Sequence, residues 1–297
     1  TGKKGTSTSS KSSKRSIEEI RTGTQGITAS FLPNAPPDKI VVEQGADSRL
    51  NSFEVILDIR NRGAYPQPED RIPAPIGSKV FLSGYDRNVI FFEKNPPSED
   101  LSSKPLDGKS TINTNGGQDL ITFRGYVNIE NLNVEKYEPT LQATTCFQYW
   151  TIDGPSVCID PDPYSTVSGK KVCEAQDITL TSQGAPVAVT KIEEEAFASK
   201  TQFRITVKNV GGGDVFKDNA INKCGPEGEK IVREDVDKVY VMYVKIGNKD
   251  LLCGPFIDRP NTEVRERAGY IRLINGEGHI ICELQSGDYS STKSAYT

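Results

Sequence analysis

The stretch Phe53-Glu54-Val55-Ile56-Leu57-Asp58-Ile59-Arg60-Asn61-Arg62-Gly63 decides the fold class. Phe53, Val55, Leu57 and Ile59 fall on one side and Glu54, Asp58 and Arg60 on the other, a period of two that describes a half-buried β-strand. A related stretch returns at 202–212, QFRITVKNVGG. With Asn61 placed on Asn209, Val55, Leu57, Ile59 and Gly63 fall on Phe203, Ile205, Val207 and Gly211, a shift of 148. Each copy reads as a core strand ending in an Asn-x-Gly turn, where Asn and Gly tolerate positive φ. The shift is about half of the 297-residue chain, which fits two β-domains of related design.

Working outward, Ile121, Phe123, Val127 and Ile129 alternate with Thr122, Arg124, Tyr126 and Asn128. Further strands are expected at 79–83, 88–93, 140–150, 187–193, 238–246, 270–274 and 279–284. Asn275-Gly276 between the last two is a hairpin signal. No helical stripe longer than two turns is present. The reading is an all-β chain of two immunoglobulin-like β-sandwich domains in tandem, at 26–145 and 174–289, with an extended N-terminal arm at 1–25. The Cys/Pro-rich connector 146–173 contains Gly154-Pro155 and Asp160-Pro161-Asp162-Pro163, which disfavour helix and read as a stiff, extended connection. Residues 290–297 form a Ser/Thr/Tyr-rich tail.

Residues 1–16 carry Lys3, Lys4, Lys11, Lys14 and Arg15 and no acid, so +5 sits there against a net −4 for the chain. Such a segment buries too little to offset its backbone entropy. It reads as a flexible spacer, or as an arm that orders against a neighbouring subunit through Ile17, Ile20, Ile27 and Phe31. Ser16 and Glu19 fit a capping box for a short helix. The chain opens at Thr1 and its one Met is Met242, so a mature or trimmed form is expected. No stretch approaches the roughly 18 apolar residues of a membrane helix, so any membrane contact is expected through a segment outside this sequence.

The near-balance of charge, 36 Lys+Arg against 40 Asp+Glu, argues against a nucleic-acid partner. The six cysteines, Cys146, Cys158, Cys173, Cys224, Cys253 and Cys282, all lie past residue 145. An even number in a turn-rich β-chain, without a Cys-x-x-Cys pair, points to three disulfides and an oxidising compartment rather than zinc. Six cysteines allow 15 pairings. The expected set is Cys146–Cys158, Cys224–Cys253 and Cys173–Cys282.

Chemistry is sparse. His279 is the only histidine and lacks a nucleophile elbow, so a surface role is expected and no enzyme. Gly211-Gly212-Gly213 lacks the Lys-Ser/Thr of a phosphate loop and reads as a wide turn. Asp160 and Asp162 are candidate carboxylates for Ca²⁺, without the rest of an oxygen-ligand set; no other cofactor is expected. Glu193-Glu194-Glu195 reads as a solvated strand edge, and 257–267 as a polar surface or interface loop. Val239 to Val244 is apolar on both faces. It is either a central strand covered on both sides or one whose outer face packs on a partner.

The strand end VKNVGGGDVF (207–216) resembles the CARDB-type, immunoglobulin-like adhesion modules of prokaryotic surface proteins. The segments SFLPNAPPDKI (30–40), NRGAYPQP (61–68), VCIDPDPYS (157–165) and GAPVAVTKIEEE (184–195) are together similar to large secreted cell-surface proteins of small-genome archaea. The resemblance implies an extracellular, tethered or assembled β-protein and supplies no activity. The expected function is a structural subunit of a surface layer, filament or appendage, self-assembling into a homo-oligomer. The alternative is an adhesin for a glycan or another cell-surface protein, with Tyr65, Tyr85 and Tyr164 as exposed loop-tip aromatics.

Overall fold

The computed structural model describes residues 20–42, 51–128, 136–160, 163–164, 173–226, 228–257, 264–288 and 294–296. In the first half, β1 (Ile27–Phe31), β2 (Ser52–Asn61), β3 (Lys79–Ser83), β4 (Ile90–Phe92), β5 (Ser98–Asp100), β6 (Gln118–Val127) and β7 (Gln142–Cys146) form two antiparallel sheets. Their orders are β1-β2-β6-β4 and β5-β3-β7. The expected inward face of β2 is the inward face: Val55, Leu57 and Ile59 are fully buried. They pack with Ile121 and Phe123 of β6 and with Val80 and Leu82 of β3 into one core. Each such side chain contributes roughly 1.5–3 kcal/mol by leaving water.

A short strand β8 (Val157–Ile159) leads into the second half: β9 (Ile178–Thr179), β10 (Val187–Ala196), β11 (Lys200–Asn209), β12 (Lys238–Val241), β13 (Lys245–Ile246), β14 (Lys249–Asp250), β15 (Leu252–Gly254), β16 (Gly269–Arg272) and β17 (Glu277–Gln285). Here the order is β15-β17-β11-β10-β9, with β12-β16 as a separate two-stranded sheet. Phe203, Ile205, Val207, Ile271, Ile280 and Leu284 belong to the second core. The last strand, β18 (Ser294–Tyr296), pairs with β8. Asn275 and Gly276 both take positive φ, 53° and 78°, as a two-residue hairpin with the right twist requires.

The repeat read from sequence is repeated in hydrogen bonds. Asn61 Oδ1 accepts from Gly63 N at 3.1 Å, and Asn209 Oδ1 from Gly211 N at 3.2 Å. Each Nδ2 donates four residues on, to Tyr65 O and Gly213 O, both at 2.7 Å. Asn61 N donates to Gly117 O and Asn209 N to Gly276 O; Arg62 N donates to Gly26 O and Val210 N to Pro186 O. The strand order follows suit, with β1-β2-β6-β4 matched by β10-β11-β17-β15 and the β3–β5 pair by β12–β16.

All six cysteines are paired, in a pattern other than the expected one: Cys146–Cys224, Cys158–Cys173 and Cys253–Cys282. Cys253 and Cys282 stand directly opposite on β15 and β17, so neither reaches a more distant partner. Cys146 ends β7 where the segment Asp218–Lys223 arrives from the second half, and Cys224 closes on it. Cys158 and Cys173 then bridge within the connector. Within that connector Phe147 packs on the first core while Val157 and Ile159 pack on the second.

Asn61 is fully buried and also donates to Leu106 O at 2.8 Å, so its amide serves three backbone groups. Removing it strands two carbonyls and an N–H away from water. Asn61→Ala is therefore expected to cost about 3 kcal/mol. Asn209→Ala, at a half-buried site, is expected to cost about 1 kcal/mol. Urea unfolding of both variants measures the difference.

Candidate assembly and binding surfaces

The two Asn-x-Gly turns meet the other half of the chain in matching ways. A Cβ at Gly63 would stand 1.8 Å from Tyr149 Oη, 2.6 Å from Gly184 O and 2.7 Å from Gln25 O. One at Gly211 would stand 2.6 Å from Pro186 Cβ and 3.1 Å from Thr24 O. Gly184 leads into β10 as Thr24 leads into β1. The turn of each half thus abuts the lead-in of the other, an approximate two-fold arrangement within one chain. Glycine is required at 63 because backbone and phenol approach too closely for any side chain.

Polar contacts saturate this junction. Ala64 N donates to Gly184 O at 2.7 Å, and Gly184 N to Gly23 O at 3.0 Å. Tyr149 Oη accepts from Tyr65 N at 2.9 Å and donates to Gly184 O at 3.0 Å. Burial pushes the Tyr149 phenol far above the ordinary tyrosine value, so it stays a neutral donor. Gln148 Nε2 reaches Asp218 O at 2.7 Å and Thr151 Oγ1 reaches Val187 O at 2.6 Å. The Cys146–Cys224 bridge closes a separation of 78 residues across the same junction.

Several predicted site residues serve here instead of on a free surface. Tyr65 is 7% exposed, stacked on Trp150 at 5.3 Å and edge-on to Tyr149 at 5.6 Å; it is not a loop-tip contact. Tyr85 packs edge-on to Phe92 against the first core, and only Tyr164, 70% exposed, stands in solvent. The three do not form a cluster. Of the predicted arm, Ile20 and Ile27 are each 4% exposed. β1 is hydrogen-bonded along its whole length to β2, from Ile27 opposite Asn61 to Phe31 opposite Leu57, so it is an edge strand of this chain's own sheet. Ile17, Ser16 and Glu19 lie outside the described residues.

Two other surfaces stand open. Tyr240, Met242 and Tyr243 are 44–49% exposed, so Val239–Val244 is not a central strand covered on both sides. On the first half, a groove of about 860 Å³ runs over the outer face of β2, β4 and β6, lined by Asn34, Pro37, Glu54, Phe91, Arg124 and Tyr126. Phe91 and Tyr126 stack there at 5.3 Å, and Arg124 lies 3.3 Å from Glu54 and 3.7 Å from Glu93. Sequence reasoning missed this groove, since its residues come from three strands whose order is a property of the fold.

Among titratable groups, His279 Nδ1 lies 3.1 Å from Thr206 Oγ1 directly across the β11–β17 pair, and its Nε2 lies 3.2 Å from Glu277. This is a cross-strand contact on a partly exposed sheet face. Asp160 is 5% exposed, and Asp162 lies outside the described residues. Among the described residues, no group of three His, Cys, Asp or Glu side chains could hold a metal ion, and no helix is long and apolar enough to cross a membrane. Glu194 is not part of a solvated edge: both its carboxylate oxygens are buried without a hydrogen-bond partner among the described residues. Alternation explains this, since it follows core-facing Ile192 by two and stands opposite buried Phe203. Burial first, then the charge of Asp160, push its carboxyl up to about 7.

Three disulfides in a β-rich chain belong to an oxidising environment. Comparison with protein families, with curated proteins and with solved structures finds no match.

The raised Glu194 value gives stability a definite slope. The folded chain holds a proton that the unfolded chain has already released, so stability falls as pH rises through the window up to about 7. Glu194→Gln is expected to raise the melting temperature at about pH 8 and to lose that gain near pH 5, where the unfolded carboxyl also begins to hold its proton. Thermal melts at both values measure it; equal gains at the two would show that the carboxylate is solvated.

Proposed function

We propose that this chain is a non-enzymatic extracellular structural subunit. In this reading it comprises two immunoglobulin-like β-sandwich domains, 26–145 and 174–289, of the CARDB-type design of archaeal surface proteins. Copies of it assemble with one another into a surface layer, filament or appendage. One observation carries the reading: a stapled, hydrogen-bonded junction joins the halves while Tyr240 of β12 and Met242 and Tyr243 just after it remain open to solvent. A unit that must transmit load without hinging needs the former, and a unit that must contact a neighbour needs the latter. Apolar patches left on an otherwise polar surface mark such contacts. Bulk assembly then needs no side-chain chemistry, only repeated sandwich-to-sandwich contact and a contribution from the N-terminal arm, 1–25.

A second reading, an adhesin, is favoured by the Phe91–Tyr126 groove. It presents a stacked aromatic pair between carboxylates and a guanidinium, a combination suited to a neutral glycan with an apolar ring face and hydroxyl edges. Glycan binding by a monomer, lost in Phe91→Ala, would favour that reading.

Electron microscopy of the purified chain at near-neutral pH, beside a variant lacking residues 1–19, tests the first reading. Ordered filaments or sheets are expected from the full chain. Their loss on deletion would assign the contact to the arm, and their persistence to the sandwiches. Dispersed particles in both samples would overturn it.

A further inference from the structure

The repeat contains an inequality. β3 begins with Lys79-Val80-Phe81-Leu82 and β12 with Lys238-Val239-Tyr240-Val241. Both pair the first residue of the strand with the last of its partner, Lys79 with Asp100 and Lys238 with Arg272. On its other side β3 is flanked along its full length by β7, from Lys79 opposite Cys146 to Ser83 opposite Gln142. Beside β12 that place holds no strand among the described residues. The consequence shows in the core: Val80 and Leu82 are 0% and 2% exposed, whereas their counterparts Val239 and Val241 are only partly covered although they pack on the second core. Tyr240 on the outer face is 44% exposed, beside Tyr270 at 4.9 Å. Apolar residues on both faces of an open edge form a template for another strand.

We infer that β12 is a strand-acceptor edge, and that it pairs with β12 of a second copy of this chain. The inference rests on the assembling-subunit reading above and names one of its contacts, since a two-fold contact closes on itself and an extended assembly needs a second. The argument for a second copy is self-complementarity. Antiparallel pairing centred on Tyr240 sets Val239 against Val241 of the other copy on the core face. It sets Tyr240 against Tyr240 on the outer face, and Lys238 against Met242 rather than against another cation. Cross-strand pairs of this kind are favourable where like charges are kept apart. The result is a sheet of order β16-β12-β12-β16 about a two-fold axis, the usual closed form of a self-complementary patch.

The test uses the full chain. Since all six cysteines are paired, Tyr240→Cys introduces a single free thiol, with Ile112→Cys, at a site 90% exposed, as the control. Wild type is expected to dimerise with rising concentration in sedimentation velocity. Tyr240→Cys is expected to oxidise to a covalent dimer well ahead of the control. Tyr240→Pro, which removes a donor on the side of β12 away from β16, is expected to weaken dimerisation by about tenfold or more while its thermal melt stays cooperative. Should that variant fail to fold, the cysteine pair decides alone. Wild type that associates while Tyr240→Cys cross-links no faster than the control would overturn the β12 contact and leave the assembling subunit standing. A monomer with amides 239–242 protected from hydrogen exchange would show further residues of the same chain in the slot, and would overturn the inference. A monomer with those amides unprotected would leave a foreign strand as occupant and overturn both readings.

Discussion

The structure depends on how the chain leaves β2. Asn61 is fully buried and its amide bonds Gly63 N, Tyr65 O and Leu106 O, so the turn after the strand is held at three points. That turn presents Gly63 without a side chain at the point where Gly184 O, Gln25 O and Tyr149 Oη converge. It also presents Ala64 N to Gly184 O. A flexible turn here would lose the junction contacts to entropy, because each fixed residue costs about 1–2 kcal/mol of backbone freedom. Preorganisation by one buried amide is what allows a contact made mostly of backbone and one phenol to hold the two halves together.

The second turn repeats the device with weaker means. Asn209 makes the same two side-chain contacts but at a half-buried site, and Gly211 abuts Pro186 and Thr24 O. The two halves therefore carry the same strand end and turn it toward each other. Their difference lies beside β3 and β12. The first half completes its second sheet with β7, and in the second half β12 has a single strand partner among the described residues. A closed junction together with an open edge is the physical basis for reading the chain as a building unit.

Much of this was legible in the residues. Alternation in 53–60 and 203–207 located the buried faces, Asn275-Gly276 located a hairpin, and the shared Asn-x-Gly located the equivalent turns. What failed was whatever depends on proximity between distant segments. The disulfide partners followed from strands β15 and β17 being neighbours and from the segment 218–224 crossing to β7, neither of which has a local signal. Tyr65 looked like an exposed tip because Gly and Pro surround it, yet its ring is buried against Trp150 and Tyr149 from 84 positions or more away. Glu194 looked solvated in a run of three acids, although the period of two that located Ile192 in the core also places Glu194 on that face. The groove at Phe91 and Tyr126 could be found only once β4 was known to pair with β6.

The central claim is that the turns join the two halves into one cooperative body. Differential scanning calorimetry of the disulfide-intact chain tests it most directly. A single transition, with the calorimetric enthalpy equal to the van't Hoff enthalpy, is the predicted result. Two resolved transitions, each carrying part of the enthalpy, would mean that the halves melt independently and that the junction is a contact without consequence for stability.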